Sequence, residues 1–111
     1  MYLKLYHRSK AKKLPKPIRE YMHRQFKLPW EYINKLKCFD SVKVIDEKNV
    51  RCICIYSPHL AQQQNISVLT TRDLNHHPEV VLYKGHIYEN GHISMEDLRT
   101  MSYPERLSAK W

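Results

Sequence analysis

A chain of 111 residues, 42% of them apolar and 27% charged, suffices for one domain with a modest core and is too apolar to stay unfolded as a whole. Its net charge is +8, and the excess is local: residues 1–37 hold eleven Lys/Arg against Glu20 and Glu31, a balance of +9, whereas residues 38–111 hold eight against nine acids, a balance of −1. Three cysteines, an odd number, exclude a fully paired disulfide framework, and no apolar run reaches the ~18 residues of a membrane helix.

Taken in chain order, Tyr2-Leu3-Lys4-Leu5-Tyr6 alternates and favours a strand. Residues 7–16 are polar and basic and end in Pro15-Lys16-Pro17, which predicts an extended arm, with Pro17 suited to the first turn of a helix. Over 17–28 the spacing is helical: Ile18, Tyr21, Met22 and Phe26 share one face, and Arg19, His23, Arg24 and Lys27 lie off it. Pro29 ends that helix and opens a second over 30–39, built on Trp30, Ile33 and Leu36 with Tyr32 and Phe39 flanking.

From Ser41 the period becomes two. Val42, Val44 and Ile45 lead into the turn residues Asp46-Glu47-Lys48-Asn49, and Val50 to Tyr56 follows as a central strand covered on both faces. Ser57-Pro58 reads as a helix cap and first position, with the short helix ended by Asn65. Ile66–Thr70 is predicted as a strand, Thr71–Pro78 as a polar loop, and Val80–Tyr83 as another strand. Asn90-Gly91 suits a two-residue type I′ turn, which sets Glu89 opposite His92 and Tyr88 opposite Ile93. Ser94 with Asp97 resembles a capping box and predicts a helix over 95–101; residues 102–111 read as a loosely ordered tail whose Trp111 docks on the body. The fold class is α+β over a single domain, 1–111: an N-terminal helix pair packed on one face of a mainly antiparallel sheet of about four to six strands.

Two glycines cannot build a phosphate-cradling loop or a dinucleotide fingerprint, and the motifs of serine hydrolases, zinc proteases and dithiol redox proteins are absent. His76, His77, His86 and His92 lie near one another in sequence but match no ligand spacing, so neither a metal nor a cofactor is expected. Glu89 and His92 read as an exposed cross-strand pair. Cys52 and Cys54, two apart on one strand, read as buried, reduced thiols, and the start MYLKLYHRSKAKK has the wrong order for a secretory signal. The expectation is a soluble protein of the cytoplasm.

The strongest functional signal is the arm. Lys10, Lys12, Lys13 and Lys16 lie outside any apolar period, and Arg19, Arg24 and Lys27 continue the charge along the first helix. Such a clamp gains free energy by releasing phosphate counterions, and the interleaved rings of Tyr6, His7 and Tyr21 suit stacking on bases. The leading expectation is a non-enzymatic nucleic-acid-binding module, RNA or DNA. A helix-turn-helix is not expected, because the second helix leaves only Glu31, Asn34, Lys35 and Lys37 outside. The order strand, two helices, antiparallel sheet, together with Lys12-Lys13-Leu14-Pro15-Lys16-Pro17-Ile18-Arg19 before the helical pair, resembles RelE/ParE-type toxins. That resemblance implies a ribonuclease; it carries over no catalytic residue, since the arginine and tyrosine pattern of that family is not matched around Arg51 to Tyr56. A third expectation is a mobile-element or phage adaptor that docks on an acidic protein surface through Trp30, Tyr103 or Trp111 beside the charge.

Overall fold

The structure is a computed structural model and describes residues 10–100, Thr100 by its backbone alone. The expected strand at 2–6 and the tail at 102–111 therefore lie outside the described residues, as do Tyr6, His7, Tyr103 and Trp111. Proline starts the first two helices. Pro15 caps α1 (Lys16–Gln25), with Pro17 in the first turn where its missing N–H leaves no bond unmade, and Pro29 in extended backbone caps α2 (Trp30–Asn34).

Five antiparallel strands follow one another in space as in sequence: β1 (Lys12–Lys13), β2 (Lys37–Ile45), β3 (Lys48–Tyr56), β4 (Val81–Ile87) and β5 (Ile93–Asp97). The short helices α3 (Pro58–Gln63) and α4 (Thr71–His76) fill the connection from β3 to β4. Alternation on the strands splits the core in two. Cys38, Ile53, Ile55 and Tyr83 pack with Ile18 and Met22 of α1 and Ile33 of α2. Phe39, Cys54 and Tyr56 pack with Ala61 of α3, Leu74 of α4, Val80, Val81 and Leu98. A strand buried on both faces has no polar side to display, which is why Cys52 to Tyr56 reads as a continuous apolar run.

Five expectations need correction. The second helix stops at Asn34, because Lys37 to Phe39 gain more from pairing: Lys37 faces Tyr56, and the ladder runs unbroken to Ile45 opposite Lys48. The spacing of Trp30, Ile33 and Leu36 continues across the helix end and hides it. Ile66–Thr70 forms no strand; Thr70 and Asp73 make a capping box that turns the expected polar loop into α4. Asp73 accepts the N–H groups of Leu69 (2.8 Å) and Thr70 (2.9 Å), and these bonds hold its carboxyl below the usual range. Residues 95–97 are strand, not helix, because Met95 lies opposite Gly85, where an added Cβ would meet Met95 Cγ at 3.0 Å.

The last correction is one of register. Gly91 alone takes the left-handed backbone at this turn (φ 88°), so the loop is the three residues Glu89-Asn90-Gly91. Tyr88 therefore faces His92, its N–H donating to the His92 carbonyl at 2.9 Å, and their rings stack with centroids 5.8 Å apart. Glu89 does not meet His92; its carboxylate accepts the Asn49 N–H at 3.1 Å. The β2–β3 turn is the two-residue kind, with Asp46 (φ 52°) and Glu47 (φ 65°) both left-handed and no glycine present.

Candidate nucleic-acid interface

The arm is not free of the body. Through β1 it pairs with the start of β2, Lys12 opposite Cys38 and Lys13 opposite Lys37. Lys13 and Lys37 are both exposed, and among the described residues neither has an acid partner. Like charges directly opposite on a sheet repel, so this rung is electrostatically unfavourable until an anion neutralises it. Lys10 lies just before this rung and Lys16 just after, both exposed.

Lys12 has a different role. Its Nζ lies 3.2 Å from Asp40 Oδ2, which also accepts Arg51 Nη2 at 2.6 Å; the Asp40 side chain is only 9% exposed. Asp40 thus fastens the arm to the sheet and absorbs charge that would otherwise face outward. Changing Asp40→Asn should lower stability by about 1–2 kcal/mol by weakening two charge-assisted bonds. It should also steepen the salt dependence of any polyanion binding, because Lys12 and Arg51 are released; chemical denaturation and salt titration check the two halves.

On α1, Lys16, Glu20 and Arg24 are exposed and spaced by four, so the helix presents one acid between two cations. Arg19 is half-buried, and its Nε donates to the Leu14 carbonyl at 3.1 Å, tying helix to arm. Tyr21 is also half-buried. Its ring meets Phe26 edge-on (5.8 Å), and Phe26 stacks on the buried Tyr83 (5.4 Å), so Tyr21 stands at the outer end of a row of rings that leads into the core.

Lys27 closes α1 in the left-handed region (φ 55°), while the N–H groups of Phe26 and Leu28 both donate to Met22 O. That conformation suits glycine and strains any side chain. Lys27→Gly should raise stability by about 0.5–1 kcal/mol, less whatever freedom glycine adds to the unfolded chain, and thermal denaturation reads this directly.

Sequence spacing missed a ring pair at the same corner. His23 and Trp30 stack with centroids 4.3 Å apart and planes 23° from parallel, and both are exposed. The His23 Nδ1–H donates to the Leu28 carbonyl at 2.9 Å, which fixes the ring plane. The available signal was Trp30 directly after Pro29, at the corner His23 faces. Lys37 was missed as well, because only strand pairing brings it to Lys13.

Elsewhere the titratable residues scatter. His76 ends α4, His77 sits 3.4 Å from Glu79, and His86, Tyr88 and His92 form a row of rings on the β4–β5 hairpin. Burial lowers the His86 pKa. Among the described residues no three His, Cys, Asp or Glu side chains are grouped to hold a metal ion. Cys38, Cys52 and Cys54 are free and buried, and desolvation pushes the thiols of Cys38 and Cys54 up to about 11 and about 12. They remain protonated at neutral pH and are poor nucleophiles. At the far end of the sheet an open cleft is lined by Lys48, Tyr88, Glu89, Asn90, His92 and Ser94, a mixed-charge set.

Among the described residues no helix is long and apolar enough to cross a membrane. Compared with known proteins, the chain matches no family model, no curated protein and no solved structure.

Proposed function

We propose that this protein is a small, non-enzymatic nucleic-acid-binding module that grips the phosphate backbone with its basic arm, the start of β2 and the outer face of α1. One observation carries the reading: Lys13 and Lys37 are held side by side in a paired rung, flanked by Lys10 and Lys16, with no acid among the described residues neutralising them. Folding brings these charges together at a cost, and a phosphodiester chain would offset it by exchanging its counterions for them. Base-specific readout has no support. A recognition helix needs length and an outward polar face, and α2 has five residues with Ile33 buried. The three buried, unpaired thiols favour a reducing compartment, and we place the protein in the cytoplasm.

The test is binding to labelled RNA, single-stranded DNA and duplex DNA at ~50 and ~200 mM salt. Binding that falls by at least about tenfold over that interval, with little dependence on base sequence, is the expected result. No binding at the lower salt would overturn the reading. Shortened RNA would replace it with the ribonuclease expectation, and a stable complex with an acidic protein in the absence of nucleic-acid binding would replace it with the adaptor.

A further inference from the structure

We propose that the ligand of this interface is single-stranded, and that an unpaired base stacks on the His23–Trp30 pair. The inference rests on the nucleic-acid reading above and adds a site to it. Trp30 is the one aromatic among the exposed large apolar side chains of the described residues, at 42% exposure. Burying its remaining apolar surface would be favourable, and a flat partner matches it best. The other exposed large apolar residues are aliphatic: Val42, Val44 and Ile45 on β2, and Leu69 before α4.

The platform is held in advance of any ligand. Pro29 fixes the chain entering α2, the left-handed cap at Lys27 turns it back towards α1, and Leu28 O fixes the His23 ring. A base arriving there would lose its own freedom without ordering the protein. Exposed cations lie on the same segments as the rings: Arg24 follows His23 on α1, Lys27 lies in the connecting turn, and Lys35 caps the end of α2. Rings for bases beside cations for phosphates is the combination that binds unpaired strands without regard to sequence. In a duplex the base faces are already stacked, so the same rings would have nothing to cover.

A purely structural role for the ring pair, stapling α1 to α2, makes a different prediction. Binding of a short uridine oligonucleotide and of a duplex of equal length is measured for the full chain and for Trp30→Ala, Trp30→Phe and His23→Ala. The stacking account expects Trp30→Ala to weaken the uridine oligonucleotide about tenfold and the duplex less than about twofold, with Trp30→Phe within about threefold of wild type. In a Trp111→Phe background the oligonucleotide should quench the fluorescence of Trp30. Should Trp30→Ala fail to fold, His23→Ala carries the same comparison. Equal loss of both probes, or loss of neither, overturns the stacking site and leaves the electrostatic clamp standing. Wild-type protein that binds neither probe overturns both.

Discussion

With Lys10, Lys13, Lys16 and Lys37 all changed to Ala, affinity for a single-stranded oligonucleotide should fall roughly 10²- to 10³-fold at ~0.1 M salt. Each lysine that meets a single-strand phosphate contributes about 0.7 of a decade there through released counterions, so four together dominate binding. The same variant should fold at least as well as the wild type, because separating the opposed pair Lys13/Lys37 removes a repulsion worth about 0.2–1 kcal/mol. Loss of binding with stability retained or raised is a sign that these residues are placed for a ligand. Lys12→Ala should behave differently, weakening binding little and loosening the arm, since Lys12 is committed to Asp40. Fluorescence anisotropy and thermal denaturation on the same samples check both signs.

The second large effect concerns the fold. Phe39→Ala should destabilise the protein by about 3–5 kcal/mol, a large share of the roughly 5–15 kcal/mol typical of a small domain. Phe39 is fully buried, stacks on Tyr56 at 5.8 Å, and packs in the core layer that holds Ala61, Leu74 and Leu98. It sits on β2 opposite Cys54, on the far side of the sheet from α1 and α2. Urea denaturation gives the value directly. A loss under about 1 kcal/mol would mean that Phe39 flanks an exposed helix, as its spacing from Trp30 and Ile33 suggests, and that the second core layer is misplaced.

Where local chemistry decides the structure, the sequence announced it. Ser57-Pro58 opens α3, with the Ser57 hydroxyl accepting the Leu60 N–H at 3.1 Å, and Pro17 lies in the first turn of α1. The uninterrupted apolar run at Cys52–Tyr56 announced a strand covered on both faces. Where distant partners decide, the sequence was ambiguous. Lys37 to Phe39 fit a helical period as well as a strand until β3 is there to pair with them. Helix α4 buries Leu74 alone, too little amphipathicity to outweigh a histidine-rich, polar composition, although Thr70 and Asp73 had the capping-box spacing. At Asn90-Gly91 the turn was legible and its length was not. A three-residue loop with only Gly91 left-handed uses the same dipeptide and shifts every pair by one.

The candidate interface divides in the same way. A run of lysines needs no structure to be noticed, so Lys10, Lys13 and Lys16 were legible. Arg19 was counted with them, yet its guanidinium is engaged by Leu14 O, and Tyr21 is half-buried, its ring edge-on to Phe26. Lys37 and the His23–Trp30 stack depend on the fold bringing separate segments together, and no local pattern reports that.

The central claim is that the charges gathered around the Lys13–Lys37 rung are there to meet phosphates. It is tested most directly by the slope of log affinity against log salt for one oligonucleotide, in the wild type and in the variant lacking Lys10, Lys13, Lys16 and Lys37. The account requires a steep negative slope that becomes shallower by about three in the variant, near ~0.7 for each single-strand phosphate that no longer meets a lysine. Identical slopes for the two proteins, or a wild type whose affinity ignores salt, would contradict it.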